Sequence, residues 1–177
     1  MNIKERDISI RKLFWLIIYY SLARYLPDTI VCSKIRAFCC RHIFAQCGTK
    51  VRVGRNAYFG SGLDVCIGNR SNIGKNAHIP SNTIIGNFVM MGPGCYILGV
   101  NHIYTNTNYP MMYQGLNTLK QTIIEDDVWI GQEVLFTPGR IVRKGSVIAA
   151  RTVLCKDFEA YSVVGGNPSR FIKCRLS

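Results

Sequence analysis

The chain has 177 residues, 48 % of them apolar and 18 % charged, which suits one globular domain and excludes a disordered, collagen-like or coiled-coil protein. Twenty-two Lys and Arg against ten Asp and Glu leave a net charge of +12. That excess favours anionic partners (phosphates, nucleotides, nucleic acid or an anionic membrane face) without choosing among them, and it sits at the two ends, residues 1–55 and 140–177, while the middle is close to neutral.

The first feature along the chain is the apolar stretch Leu13 to Ala23, well short of the roughly 20 residues that cross a bilayer as a helix. Ser21-Leu22-Ala23 loosely fits a signal cleavage site, but the bulky run Trp15 to Tyr20 and the basic stretch Lys34 to Arg55 argue against secretion. A helix is expected here, ended by Pro27-Asp28. Either it packs its apolar face on the protein, or it lies in a membrane surface with Arg11, Lys12 and Arg24 toward anionic lipid. The eight cysteines form no Cys-x-x-Cys pair, which points to reduced, packed thiols and a cytoplasmic protein, with peripheral contact at the inner face of the membrane under the second reading.

From residue 51 a large apolar residue recurs every six positions, commonly followed by Gly. Val53-Gly54 and Phe59-Gly60 open the run, and a two-residue insertion precedes Ile67-Gly68, Ile73-Gly74, Ile79-Pro80, Ile85-Gly86, Met91-Gly92, Ile97-Leu98 and Ile103-Tyr104. After a 21-residue step come Ile124, Ile130, Phe136, Val142, Ile148 and Leu154. Two residues before each stands a smaller or branched one, with Asn101 and Arg140 as exceptions. A spacing of two puts both on one face of a strand, so each hexad supplies two inward side chains. Glycine then serves either a positive φ or a close approach of backbones. The unit reads as short strand and turn, repeated, which is a parallel β-helix with a continuous apolar column.

These hexads resemble the left-handed β-helix of the hexapeptide-repeat acyltransferases, over about residues 51 to 175. Asp126-Asp127-Val-Trp129-Ile-Gly131, Pro138-Gly139, Ser146-Val-Ile-Ala-Ala150, Lys156-Asp157 and Gly166-Asn-Pro168-Ser-Arg170 are similar to the C-terminal signature of the galactoside, maltose and xenobiotic acetyltransferases. The resemblance implies an all-β fold: a left-handed parallel β-helix over 49–175, an N-terminal helical segment over 1–48, and one long loop excursion at about 104–121. Arg143 and Ala149 stand where that family usually has Gly, so those turns are expected to be less regular.

The break in the repeat is the expected place for chemistry. His102 lies between the expected inward residues Asn101 and Ile103, so its ring should project outward, and an ordinary imidazole accepts a proton near neutral pH. The segment Asn101 to Pro110, with Tyr109, resembles the catalytic loop of the xenobiotic-type enzymes, which implies that His102 is the general base of direct acyl transfer from acetyl-CoA. The same resemblance implies the main-chain N–H of Gln132, after Gly131, as oxyanion donor. It places Trp129 and Ala150 along the pantetheine, Lys156, Arg170 and Lys173 near the phosphates, and Asn72, with Asn101 and Tyr109, at the acceptor. It further implies a homotrimer in which His102 of one subunit meets Trp129 and Gln132 of the next. His42 and His78 are expected to be solvated or hydrogen-bonded, and no metal site is expected because the three histidines do not converge along the repeat.

The N-terminal third, through Lys34 to Gly48 and Val51 to Gly60, looks like that of bacterial capsule and exopolysaccharide O-acetyltransferases, which implies a sugar or glycan hydroxyl as acceptor. N-acetylation of an amino sugar or antibiotic by the same histidine is the competing enzyme reading. An inactive β-helix serving as a binding or scaffold protein is the non-enzyme alternative, and nucleic acid is not expected as a partner because aromatic residues do not interleave with the basic clusters.

Overall fold

The computed structural model describes residues 9–176. Helix α1 spans Ile10–Ser21, its first turn closed by the Ser9 hydroxyl, which accepts from the Lys12 N–H. Trp15, Leu16, Tyr19, Tyr20 and Ala23 recur at helical spacing and pack inward. The helix ends before the expected stop at Pro27: the Asn56 N–H donates to the Arg24 carbonyl, which pins Ala23–Tyr25 as a 3-10 turn against the first coil. A second helix, α2 at Ile30–Ile43, follows the Thr29 cap. The sequence reading anticipated one helix here, because Lys34, Arg36 and Arg41 interrupt the apolar pattern of α2. His42 lies on α2 and stacks on Trp15 at 4.6 Å.

Arg36 is wholly buried. Its guanidinium donates to the carbonyls of Val53 at 2.7 Å, Leu26 at 3.0 Å and Pro27 at 3.3 Å, and pairs with Asp28 at 3.3 Å. One side chain thereby ties both helices to the first coil. Tyr19 donates to the Ala57 carbonyl and Tyr20 to that of Gly60, and burial pushes the Tyr20 phenol up to about 12.

Beyond the helices the chain winds into a left-handed parallel β-helix. The first face carries 46–47, 66–67, 84–85, 123–124 and 141–142; the second 52–53, 72–73, 90–91, 129–130, 147–148 and 162–165; the third 96–97, 135–136 and 153–154, with Tyr58 and His78 bridging in line with Tyr96. Register gives the coil length directly. Cys66 pairs with Ile84 and Ile123 with Ile141, 18 residues on. Gln46 pairs with Cys66, two more than a coil, and Ile84 with Ile123, 21 more. The expected inward residues from Val51 to Ile97 and from Thr122 to Leu154 are buried, Arg140 apart. Most hydroxyls among them are satisfied within the stack, Ser71 donating to the Gly86 carbonyl at 2.7 Å and Thr152 to that of Ala149 at 2.8 Å, while the buried Thr122 hydroxyl has no partner among the described residues. Cys95, also inward, has its thiol pushed up to about 11 by burial.

Of the two reasons offered for the repeated glycines, close approach is the operative one except at Gly60, which has a positive φ and open space around it. A Cβ on Gly131 would lie 2.5 Å from the Ala150 nitrogen. Positive φ falls two residues later instead, on Asn56, Asn76, Glu133 and Arg151 among others. The turns at Arg143 and Ala149, expected to be irregular, keep the common register: 141–142 and 147–148 pair in line with their neighbours. The guanidinium of Arg143 reaches Glu125 at 3.0 Å. At the C-terminal end, Arg170–Cys174 folds back antiparallel on Ser162–Gly165, which covers the open edge of the second face.

Candidate active site

The excursion begins earlier than the sequence suggested. Ile97 is the last residue of the regular coil, paired across to Phe136, and Ile103, read as one more hexad, lies outside the stack. Asn101, expected to point inward, is exposed, and Ile103 is half-buried. The physical reason is pairing within an arm: the Ile103 N–H donates to the Gly115 carbonyl at 3.0 Å and the Asn117 N–H to the Asn101 carbonyl at 2.8 Å. This antiparallel rung satisfies backbone that a coil would otherwise satisfy. At the tip, the Gln114 amide donates to the carbonyls of Asn106 at 2.8 Å and Tyr109 at 2.7 Å, so the loop is internally tied. His102 sits on the rung opposite Leu116, exposed. A recess of about 250 Å³ at the root of the arm is lined by Asn101, Asn117, Lys120 and Pro138.

The arm leaves from the corner between the third and first faces. Lys156 belongs to that corner one coil beyond Pro138, its ammonium 5.4 Å from the Phe158 ring. The remaining candidates lie elsewhere. Asn72, Met90 and Trp129 form an outward column on the second face, Met90 being paired with Trp129. Lys173 is opposite Val163 on the strand that covers this face, and Arg170 opposite Gly165. Gly131, Gln132 and Ala150 make the adjoining corner between the second and third faces. Met90 was not singled out from the sequence, although the 18-residue register from Asn72 points to it.

Local chemistry separates these groups further. The Asn72 amide donates to the Met91 carbonyl at 2.8 Å and accepts from its N–H at 3.2 Å, which leaves one N–H and one lone pair available. The Gln132 N–H has no acceptor among the described residues, unlike the turn amides of Asn69 and Asn87, which are taken by the side chains of Asn87 and Asp126. Gly92 packs closely on this turn: a Cβ there would lie 2.7 Å from the Gln132 nitrogen. The unbonded donor and the nearby cations Arg170 and Lys173 form a donor set that fits an acyl thioester with a phosphorylated tail. The His102 ring makes no hydrogen bond among the described residues.

The other histidines are occupied. His78 is sandwiched between Tyr58 at 4.8 Å and Tyr96 at 4.2 Å, and burial, with Arg24 nearby, lowers its pKa. With His42 on Trp15 and His102 on the arm, the three do not converge.

A repeating three-sided stack with one protruding histidine arm defines a parallel β-helix class of protein. No protein-family model matches the chain. It is 32 % identical over 151 residues to a chloramphenicol acetyltransferase of Klebsiella aerogenes, covering 72 % of this chain and 69 % of that protein. Its fold is similar to a maltose O-acetyltransferase from Clostridium difficile, with a TM-score of 0.75 at 25 % identity over 93 % of this chain and 86 % of that one. A hexapeptide-repeat acetyltransferase of Vibrio cholerae, solved with acetyl coenzyme A, has a TM-score of 0.78 at 24 % identity over 98 % and 92 % of the two chains. The chain belongs to the hexapeptide-repeat acetyltransferases.

Proposed function

We propose that the protein transfers acetyl from acetyl-CoA to a sugar hydroxyl, at sites shared between the subunits of a homotrimer. The observation that carries this reading is the division of the candidate residues. His102, Asn101, Tyr109 and Lys156 belong to one corner, and Trp129, Gly131, Gln132, Ala150, Arg170 and Lys173 to the second face and its far corner. Two flat surfaces become a cleft only when a second copy brings them together, and cyclic symmetry repeats that cleft in every subunit.

Acetyl-CoA supplies the acetyl group as a reactive thioester. His102 takes the hydroxyl proton as the oxygen attacks and returns a proton to the departing sulfur, so the ring ends as it began. The Gln132 N–H bonds the carbonyl oxygen as it gains charge, a donor typically worth about a hundredfold or more in rate. Trp129 and Ala150 line the pantetheine, and Lys156, Arg170 and Lys173 meet the phosphates.

Mixing two crippled variants tests the shared site. His102→Ala and Trp129→Glu homotrimers should each be inactive in thiol release. Co-refolded at equal amounts, random assembly should restore about a quarter of the wild-type rate, because a site needs one intact contribution from each neighbour. No recovery, or a monomeric mass in sedimentation, overturns the shared site. The product decides the acceptor: an ester supports this reading, and an amide supports the amino-sugar or antibiotic alternative.

No helix among the described residues is long and apolar enough to cross a membrane. Peripheral contact has a specific observation in its favour. Ile10, Leu13, Phe14 and Ile17 make an exposed second stripe on α1, and Val31, Ile35 and Phe38 one on α2, joined through Trp15, which contacts Phe14 at 5.5 Å and Phe38 at 5.3 Å. Arg11, Lys34 and Arg41 lie exposed on the same two helices. This is the composition of a surface that lies on anionic lipid. Arg24, assigned to that surface from the sequence, is packed instead among Tyr20, Tyr25 and Tyr58. The protein should float with phosphatidylglycerol vesicles and not with phosphatidylcholine ones, and Phe14→Glu should abolish flotation. Wild-type protein that stays in the soluble fraction with both removes the contact.

A further inference from the structure

An open groove of about 750 Å³ runs along the N-terminal half of the second face, lined by Asn72 and Met90 and by the basic residues Lys50, Arg52, Arg70 and Lys75. All four cations are exposed, and none is ion-paired among the described residues. The only carboxylate lining the groove, Asp28, is engaged by Arg36. This differs from the C-terminal coils, where turn arginines meet carboxylates from neighbouring coils: Arg143 with Glu125, Arg151 with Glu133, Arg140 with Asp157 and Arg175 with Asp127.

The register explains the difference. Residues one coil apart stack at the same turn, so the neighbours of Arg70 are Lys50 and Phe88, and those of Lys75 are Arg55 and Pro93. The first acid in the Arg70 line, Asp127, stands two coils beyond Arg70 and is paired with Arg175. Four like charges around one concavity repel one another and focus a positive field into it. Met90, at the end of the groove, pairs with Trp129, so the concavity opens directly onto the proposed acyl site.

We propose that this groove binds the acceptor and that the acceptor is an anionic sugar, its hydroxyl carried on a unit that bears a phosphate or a carboxylate. The inference rests on the proposed function, with Asn72 as an acceptor residue. It separates this chain from a catalyst of neutral acceptors: the cations hold the anion, Asn72 offers its free N–H and lone pair to a hydroxyl, and the hydroxyl to be acetylated is held toward Trp129.

The test is equilibrium binding to the full-length protein saturated with desulfo-coenzyme A, so that the phosphates of the cofactor do not compete. The probes are glucose 1-phosphate, glucuronic acid and glucose. A charge-assisted contact should make at least one anionic probe bind about tenfold or more tightly than glucose, with an advantage that shrinks as salt is added. Which probe gains identifies phosphate or carboxylate as the recognised group. The double variant Arg70→Gln, Lys75→Gln should lose the advantage, and Arg70→Lys should keep most of it. These side chains are exposed, so the substitutions leave the core intact. Equal binding of the three probes, no binding of any, or an unchanged double variant overturns the proposal. Failure of the catalytic reading looks different: anionic sugars bind, but no acetylated product forms.

Discussion

Replacing His102 by alanine is expected to lower kcat about a thousandfold while leaving the dissociation constant for coenzyme A within about threefold of wild type, because removal of a positioned base acts on the transition state. The comparison requires thiol-release kinetics and a separate binding titration. The structure makes the variant clean. The His102 ring is exposed and makes no hydrogen bond among the described residues, and the rung that holds it is made by main-chain groups of Asn101, Ile103, Gly115 and Asn117. Loss of the imidazole therefore leaves the arm in place. A variant that keeps wild-type turnover would move the base elsewhere and remove the catalytic role of the arm.

The second large effect is structural. Arg36→Ala is expected to destabilise the protein by about 3–5 kcal/mol in chemical denaturation, since it strips donors from the buried carbonyl of Val53 and the part-buried ones of Leu26 and Pro27 and leaves a void in place of a buried side chain. Asp28→Asn serves as the comparison. The Asp28 side chain is 45 % exposed, so its half of the ion pair should contribute under about 1 kcal/mol. If the two variants cost the same, Arg36 is not the tie between the helices and the first coil. Unequal costs place the stabilisation in the neutral carbonyl bonds rather than in the charge pair.

Much of this architecture was legible because a β-helix writes its geometry into sequence spacing. A pair such as Val65 and Ile67 is inward simply by being two apart, and the same pair recurs at Thr83 and Ile85 after one coil. Extrapolation failed where a residue satisfied the pattern without the neighbour that pattern requires. Ile103 has the right spacing after Ile97, yet Ile123 and not His102 pairs with Ile84. The preceding hexad carries no information about which later segment will take that place. Within the expected N-terminal helical segment, the second helix was missed for a different reason. The role of Arg36 depends on three carbonyls from two separate segments meeting at one point, and α2 hides its buried face behind charged residues.

Spacing along the chain determined the inward column and the break at which His102 falls, since both depend on side-chain alternation and a six-residue repeat. Only the folded chain decided what those residues face. It put His102 on an arm, set Asn72 in register with Met90 and Trp129, gathered into one groove four cations that are unpaired among the described residues, and left the Gln132 amide without an acceptor among them. These are contacts between coils, and their partners lie 18, 20 or 39 residues apart according to where insertions fall. A local pattern specifies which way a side chain points, but it takes the stacked coils to specify what it meets.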